Sequence, residues 1–260
     1  MMNQPLDAFS LRGRTALVIG GSSGIGREIA LGYHATGAKV AVVGRDLNKL
    51  DAVAAELGGK AQSGTPVAYG ADVRETGKIT GLAEAVEADH GPIDIIVNCQ
   101  GTTVLKPAVE VTEAEYDLIL ETNLKSVFFC STVFGRSMLA RGTGAIINIA
   151  SLAAFAGWAN AAPYSLSKWG VVALTQTLAA EWGDRGVRVN AIAPGFFLTD
   201  LNRDRMPPER KARLTGRTAM NRSGELSDLV GAAIYLAAPA SRFVTGTVLR
   251  VDGGYLASGI

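Results

Sequence analysis

The sequence predicts a doubly wound α/β domain, in which helices cover both faces of a parallel sheet. Short runs rich in β-branched residues alternate along the chain with longer segments of helical period. Seven such runs occur, and the helical segments between them imply right-handed crossovers from each strand to the next. Because strands covered on both faces read as nearly continuous apolar runs, the alternation indicates one parallel sheet.

The seven predicted strands follow one another without a linker, a repeat or a low-complexity tract. In chain order they span residues 15–19, 39–43, 66–70, 94–98, 144–150, 187–193 and 247–253. Segment 198–225 departs from this alternation because it is polar and contains prolines. A long segment of that kind in a compact domain is typical of a lid over a substrate. We therefore expect a single domain over residues 1–260, with a substrate loop at 196–224.

Composition and charge exclude several classes of function. Of the 260 residues 48% are apolar, and 25 Lys and Arg nearly balance 24 Asp and Glu. No overall field would therefore attract nucleic acid or an anionic membrane. The first residues lack the basic and apolar regions of a secretory signal, and no apolar run reaches the roughly 18 residues of a membrane span. We expect a soluble, cytoplasmic protein.

The cysteines and histidines argue against disulfide and metal sites. Cys99 and Cys130 lie in apolar stretches, where buried reduced thiols are expected. His34 and His90 are isolated among helix-like residues, so a histidine metal site or a Ser/His triad has too few partners. The sequence therefore predicts no metal and a reducing compartment.

Three glycines follow the first predicted strand, at positions 20, 24 and 26. Glycine lets the backbone turn tightly and approach a pyrophosphate, and the amides that open the next helix face its negative charge. Glycine-rich turns also serve plain packing. The position of this one between a strand and an amphipathic helix favours phosphate binding.

The end of the second predicted strand bears on the choice of cofactor. An NAD-selective enzyme usually has an acidic residue there, but this chain has Gly44, followed by Arg45. A guanidinium can grip a ribose 2′-phosphate through two hydrogen bonds, which favours NADP(H) over NAD(H). Two other interpretations stay open: Asp46 caps the next helix while Arg45 is solvated, or Asp46 binds the ribose in a shifted register.

Ordered motifs along essentially the whole chain resemble those of the short-chain dehydrogenase/reductase family. They are "GGSSGIG" (20–26), "DV" (72–73), "NCQG" (98–101), "TNLKSVFF" (122–129), "INIAS" (147–151), "YSLSK" (164–168), "VNAIAPGFFLT" (189–199) and "VDGGY" (251–255). The resemblance implies a seven-stranded Rossmann-like sheet, a nicotinamide cofactor and a homotetramer in which Trp169 and Trp182 lie near a subunit contact. It implies four catalytic residues, namely Asn123, Ser151, Tyr164 and Lys168.

The cofactor-binding residues follow from the resemblance together with the strand ends. The carboxyl ends of parallel strands share one edge of a sheet, so loops encoded far apart converge on one crevice. The expected residues are Gly20, Ser22, Ser23, Gly24, Ile25, Gly26, Arg45, Asp72, Val73, Asn98, Gly101, Tyr164, Lys168, Pro194, Gly195 and Thr199. Two positions depart from the family pattern: Ile19 stands where Thr is usual, and Gln100 where Ala is usual.

Tyr164 and Lys168 are four residues apart, so their side chains project from the same face of a helix. A nearby cation stabilises a phenolate, and we expect it to lower the pKa of Tyr164 from its ordinary value of about 10. The phenol would then act as general acid in ketone reduction or as general base in alcohol oxidation. Ser151 would hydrogen-bond the substrate oxygen. By the resemblance, Lys168 would hold the nicotinamide ribose and Asn123 a proton-relay water.

We expect an NADP(H)-dependent oxidoreductase that interconverts a secondary alcohol and a ketone. The stretches "KPAVEVTEAEYDLILETNLKSVFF" and "APGFFLTDLN" are similar to gluconate 5-dehydrogenase-like members, which implies a sugar acid or a polyol as substrate. One alternative is a 3-oxoacyl carrier-protein reductase, whose acidic carrier would need a cationic dock. The candidate cations are Lys106, Arg141, Arg203, Arg205, Arg210, Lys211, Arg213 and Arg217. An alternative of another class is a non-catalytic NADP(H)-binding regulator.

Overall fold

The structure is a computed structural model that describes residues 5–58, 67–198 and 208–258. Its strands are β1 (Thr15–Ile19), β2 (Lys39–Gly44), β3 (Ala68–Gly70), β4 (Ile95–Asn98), β5 (Gly144–Ile149), β6 (Val187–Pro194) and β7 (Val248–Val251). They form one sheet in the order β3-β2-β1-β4-β5-β6-β7, and every pairing is parallel. The strand order reverses between β1 and β4, which is where such sheets bind ligands. The predicted doubly wound fold is confirmed.

The helices of the described residues alternate with these strands. They are α1 (Gly24–Ala35), α2 (Leu47–Glu56), α3 (Ile79–His90), α4 (Glu113–Leu120), α5 (Ser126–Arg141), α6 (Ala162–Trp182), α7 (Pro208–Gly216) and α8 (Val230–Ala237). A π-helical turn, Glu121–Lys125, joins α4 to α5. The predicted substrate loop thus contains α7, while residues 199–207 of it lie outside the described part of the chain. No described helix is both long and apolar enough to cross a membrane.

Alternate residues of each strand supply the cores on the two faces of the sheet. In β1, Ala16 and Val18 pack with α1, α2 and α8, whereas Leu17 and Ile19 pack with α3, α5 and α6. Successive side chains of a strand point to opposite faces, so one apolar run serves both cores. Ile19, which stands where the family usually has Thr, is therefore a buried core residue.

Trp182 corrects one expectation about subunit contacts. Its indole is buried in the core between the sheet and α5. A Cβ on Gly135 of α5 would come within 2.9 Å of the indole ring, so the glycine makes room for it. Trp182 is therefore an internal packing residue, whereas Trp169 on the same helix is exposed. Cys130 is buried in this core, and both cysteines are free thiols.

Candidate active site

The loops that follow strands β1 to β6 open on one cavity of about 740 Å³ at the carboxyl edge of the sheet. Most of the expected cofactor-binding residues line it, namely Gly20, Ser22, Ser23, Gly24, Ile25, Gly26, Arg45, Asp72, Val73, Gly101, Tyr164, Lys168, Pro194 and Gly195. Ser151 lines it as well. Segments from six separate strand ends thus meet where the sequence predicted a crevice.

Two expected cofactor contacts are not among these lining residues. Asn98 is buried, and its side-chain amide donates to Ser131 Oγ at 3.0 Å and to Asn148 Oδ1 at 2.8 Å. An amide at the end of a buried strand must satisfy its hydrogen bonds inside the protein, so Asn98 connects β4 with β5 and α5 behind the cavity. Asn98 was predicted to bind the cofactor, and the structure places it outside the cavity lining. Thr199 lies outside the described residues.

The glycine loop after β1 forms a cradle that side chains would fill. Gly20 has a φ of +78°, in the left-handed region, and its amide donates to the Val43 carbonyl at 2.8 Å. A Cβ on Gly26 would lie 2.2 Å from the Gly20 carbonyl oxygen, and one on Gly44 would lie 2.8 Å from Ser22 Oγ. The Ser23 side chain does not cap α1, so the first-turn amides are available to an anion. The cradle fits the pyrophosphate of a dinucleotide.

Three charged side chains gather where the loops after β2 and β3 meet. Arg74 Nε donates to both carboxylate oxygens of Asp72 at 3.0 Å, and these bonds hold the pKa of Asp72 below its usual value. Arg45 Nη1 lies 3.9 Å from Asp72 Oδ2, and 62% of the Arg45 side chain is exposed. Arg45 therefore keeps most of its donors for a ligand in the cavity.

Asp46, the residue after Arg45, caps the next helix, as one of the open interpretations of the sequence has it. Asp46 is the N-cap of α2, and its side chain accepts a hydrogen bond from the Lys49 amide at 3.2 Å. Lys49 and Arg74 also line the cavity, and the sequence reasoning did not include either of them. For Lys49 a signal existed, because it follows Arg45 by four residues at the start of a predicted helix.

Three of the four predicted catalytic residues meet at the other end of the cavity. Tyr164 and Lys168 lie in the first two turns of α6, and Lys168 Nζ is 5.8 Å from the centre of the Tyr164 ring. Lys168 is buried and donates to the Ile149 carbonyl at 2.8 Å. Ser151 follows β5, and its side chain acts to lower the pKa of Tyr164. The hydroxyl, the phenol and the amine therefore share one pocket wall.

Burial dominates the titration of this pair. Burial raises the pKa of Tyr164, and the smaller effect of Ser151 lowers it. Burial also lowers the pKa of Lys168, from 10.5 to about 8. The sequence-based expectation of a lowered phenol pKa is therefore wrong in direction. Desolvation disfavours the charged form of each group, and the Lys168 ammonium bonds to a backbone carbonyl beside the phenol ring.

Asn123, the fourth predicted catalytic residue, lies behind the cavity in the π-helical turn. Its Oδ1 accepts from the Thr102 amide at 2.8 Å, and its Nδ2 donates to the Thr102 carbonyl at 2.9 Å and to Ser167 Oγ at 3.1 Å. Ser167 Oγ in turn donates to the Tyr164 carbonyl. Asn123 thus links the loop after β4 to the turn of α6 that carries the phenol.

Several further lining residues are additional to the predicted cofactor-binding and catalytic residues, and most of them lie in segments 101–106, 152–160 and 196–220, where the sequence predicts the substrate pocket. Gln100 lines the cavity, but its side chain is buried and donates to Ser126 Oγ on α5 at 3.0 Å. The larger side chain at position 100, where the family usually has Ala, is thus held by a hydrogen bond to α5. The other additions surround the reactive end, namely Cys99, Thr102, Thr103, Leu105, Trp158 and Phe196. Burial raises the pKa of the Cys99 thiol to about 12, so it stays protonated.

The cations considered as a carrier-protein dock are dispersed. Lys106 pairs with Glu115 at 2.7 Å, and Arg141 pairs with Asp94 at 3.1 Å. Arg217 stacks on the Tyr255 ring at 4.8 Å. Lys211 and Arg213 are exposed on α7, while residues 203 and 205 and the side chain of Arg210 lie outside the described residues. The described residues contain no group of three or more side chains suited to hold a metal ion.

Comparison with known proteins agrees with the fold and with the class of enzyme. A family model described as "Enoyl-(Acyl carrier protein) reductase" matches residues 19–256. Galactitol 2-dehydrogenase (L-tagatose-forming) of Cereibacter sphaeroides is 40% identical over 252 residues, which are 95% of this chain and 96% of the relative. Gluconate 5-dehydrogenase of Gluconobacter oxydans is 38% identical over 258 residues, 99% of this chain and 100% of the relative.

A solved structure extends the likeness to three dimensions. The gluconate 5-dehydrogenase from Burkholderia cenocepacia J2315, in complex with NADP and tartrate, matches with a TM-score of 0.89 at 35% identity and covers 98% of this chain and 99% of that chain. The likeness therefore includes the whole sheet and the cavity edge. The chain belongs to the short-chain dehydrogenase/reductase family, and it is an oxidoreductase that uses a nicotinamide cofactor to interconvert a secondary alcohol and a ketone.

Proposed function

We propose that the protein is an NADP(H)-dependent dehydrogenase of a polyol or a sugar acid, with Ser151, Tyr164 and Lys168 as its catalytic residues. One observation carries the proposal. These three side chains lie at one end of a cavity whose other end carries a largely exposed Arg45 beyond a glycine cradle. A dinucleotide laid along such a cavity joins the two ends.

Proton transfer is the task of Tyr164. When bound, the nicotinamide cofactor supplies or accepts a hydride. In the reductive direction the raised pKa keeps the phenol protonated at neutral pH, and the phenol donates its proton to the carbonyl oxygen of the substrate. Ser151 donates a hydrogen bond to the same oxygen and stabilises its developing negative charge. In the oxidative direction the phenol passes its proton to the relay that starts at Lys168 and takes the proton of the alcohol in its place.

Lys168 and Asn123 support this transfer in different ways. Lys168 has a pKa of about 8, so its amine exchanges a proton close to neutral pH beside the phenol. Its remaining N–H donors serve the cofactor ribose. Asn123 is a positioning residue, because its amide fixes both Thr102 and Ser167 and so holds the pocket loop against α6. This geometry supports a proton relay that starts at Lys168.

The cofactor preference rests on the end of β2. Gly44 has no side chain to exclude a 2′-phosphate, and Arg45 has an exposed guanidinium that can bind one. Lys49 adds a second cation on the same side of the cavity. Asp46 lines the same end of the cavity, and its Oδ1 accepts from the Lys49 amide as the cap of α2. These contacts support NADP(H) over NAD(H).

The substrate class follows from the relatives, which act on galactitol and gluconate by name. The carrier-protein alternative has less support, because Lys106 and Arg141 are paired with carboxylates of the domain itself. The regulator alternative has less support because the serine, the phenol and the amine remain together in the cavity.

Steady-state turnover of the purified chain tests the proposal. The assay compares NADPH-dependent reduction of a 5-keto sugar acid and a ketose with that of an acetoacetyl thioester, and NADH is run in parallel. We expect turnover of the hydroxylated ketones with NADPH and slower reduction of the thioester. Preference for the thioester would favour the carrier-protein reductase, and NADPH binding with no turnover of any ketone would favour the regulator.

A further inference from the structure

Positive charge is divided unevenly along the cavity. Arg45, Lys49 and Arg74 line the end that follows β2 and β3. At the reactive end, Lys168 is the sole cation among the described lining residues; one of its N–H groups donates to the Ile149 carbonyl, and in the proposed function the others serve the cofactor ribose. A carboxylate bound beside Tyr164 would therefore lose its hydration without gaining an exposed cationic partner from the described lining, which is costly.

Lys106 is the next cation along the pocket loop, and it is already paired. It follows Leu105, which lines the cavity, but its Nζ bonds to Glu115 at 2.7 Å. The bonds from Lys106 and Thr112 lower the pKa of Glu115 to about 2. Glu115 is therefore ionised throughout the neutral range, and it compensates the charge of Lys106 at the base of α4.

The structure presents Trp158 to the cavity on a tight turn. The Ala161 amide donates to the Trp158 carbonyl at 3.2 Å, and Asn160 between them has a φ of +64°. The Lys106 amide donates to the Asn160 carbonyl at 2.9 Å, which ties this turn to the pocket loop after β4. Asparagine tolerates the left-handed conformation better than most residues, so the turn is well suited to hold the indole in place.

Among the described residues that line the cavity with Trp158 are apolar side chains and neutral hydroxyls. Its ring meets the Tyr164 ring nearly edge-on, with centres 5.9 Å apart and an interplanar angle of 84°. Leu105 and Phe196 line the same end, together with Thr102 and Thr103. An aromatic face packs against C–H groups, and a threonine hydroxyl can donate to or accept from a substrate hydroxyl. A hydroxylated carbon chain without charge matches both features.

Resting on the proposed function, we propose that the substrate is a neutral polyhydroxy alcohol or the corresponding ketose, recognised by Trp158 and Leu105, and not a sugar acid. The discriminating feature is the described lining of the reactive end, which is aromatic and contains Lys168 as its sole cation. Selection against an aldonate arises because the described lining leaves its carboxylate without an exposed cationic partner.

Matched substrate pairs test this selection in the full chain. Galactitol and galactonate, glucitol and gluconate, and threitol and threonate each differ at one terminal carbon, which is a CH₂OH or a carboxylate. With NADP⁺, we expect the best polyol to exceed its matched aldonate in kcat/KM by about tenfold or more, as for other sites that leave a polar group unpaired. Equal or higher efficiency for the aldonate would overturn the inference alone. Turnover of no member, in a protein that binds NADPH, would overturn the proposed function as well.

Trp158 variants test the recognition element. Trp158→Ala should raise KM for the best polyol by about tenfold with a smaller change in kcat, and Trp158→Phe should restore most of the loss because a ring remains. Phe243→Ala is the matched control, since Phe243 is an exposed aromatic near the start of β6, at the opposite edge of the sheet. An unchanged KM in Trp158→Ala would overturn the assignment. The assignment would also be overturned if the wild type preferred the aldonate and the double variant with Arg203→Ala and Arg205→Ala lost that preference. Those arginines would then bind the carboxylate of the substrate.

Discussion

The two ends of the cavity recognise their ligands by different physics, although both lie on one edge of one sheet. At the end near β2 and β3, charged groups lie at the surface, where Arg45 is mostly exposed and Asp72 pairs with Arg74. At the reactive end, Lys168 is buried, and its neighbours are an indole, a phenol and small hydroxyls. A cofactor with several phosphates gains from exposed cations, whereas proton transfer gains from desolvated groups with shifted pKa values.

This difference explains why the same residue type has two roles in one cavity. Lys49 is exposed beside the predicted phosphate position, whereas Lys168 is enclosed by the ends of β4 and β5 and by α6. Exposure preserves the full charge and the donors of an amine, and burial adjusts its proton affinity. Substitutions at one end of the cavity should therefore change cofactor binding without changing proton transfer, and substitutions at the other end should do the reverse.

The largest expected effect comes from removing the phenol of the reactive end alone. Tyr164→Phe should lower kcat by about a thousandfold, because it removes the proton donor, while the Kd for NADPH changes by less than about twofold. Stopped-flow turnover and a fluorescence titration of NADPH measure the two quantities. Ser165→Ala, the neighbouring hydroxyl on α6, is the control and should keep wild-type kcat. Residual activity above a tenth of wild type in Tyr164→Phe would refute the assignment of the proton donor.

The burial of Lys168 should appear in the pH dependence of stability. Its pKa is about 8 in the folded protein against 10.5 ordinarily, so the unfolded chain binds the proton more tightly and stability rises with pH across that interval. The full difference is about 3 kcal/mol, of which about 1 kcal/mol falls between pH 8 and 9. The raised pKa values of Cys99 and Cys130 act in the opposite direction above pH 9.

Comparison with Lys168→Met isolates this contribution. Urea unfolding of both proteins at pH 7, 8 and 9 measures the free energy of unfolding, and the Cys130 thiol, whose pKa does not depend on Lys168, contributes equally to both. The stability of wild type relative to the variant should increase from pH 8 to pH 9. Parallel pH profiles for the two proteins would mean that Lys168 is not desolvated in the folded chain.

The smallest expected effect concerns the charged end. Arg45→Ala should reduce the preference for NADPH over NADH by about tenfold, which is the loss of about 1.4 kcal/mol of interaction with the 2′-phosphate. Asp46→Ala is the matched control at the next position. It should cost about 1 kcal/mol of stability through the lost cap of α2 and leave the cofactor preference unchanged. A preference altered by Asp46→Ala and not by Arg45→Ala would instead favour ribose binding by Asp46.

Much of the site was predictable from local patterns because its parts are short and lie at strand ends. Gly20 and Gly26 follow β1, Arg45 follows β2 and Ser151 follows β5, and the common direction of parallel strands brings them to one edge. The spacing of Tyr164 and Lys168 predicted their common face on α6. None of these inferences requires knowledge of side-chain neighbours from distant segments.

The incorrect inferences all depended on such neighbours. Asn98 was expected in the cavity, but Ser131 and Asn148 engage its amide from other elements. Trp182 was expected at a subunit contact, but Gly135 makes an internal site for it. The sign of the Tyr164 pKa shift depends on burial, which the sequence spacing of a cation does not report.

By itself, the sequence determined the alternation of strands and helices, the glycine cradle, and the order of the serine, phenol and amine along the chain. The tertiary structure alone decided which cations stay available, since Lys106 is paired with Glu115 and Lys168 donates to the Ile149 carbonyl. It also decided that Trp158 faces Tyr164. The physical reason is that strand and helix periods are local properties of the chain, whereas desolvation and ion pairing depend on the segments that folding brings together.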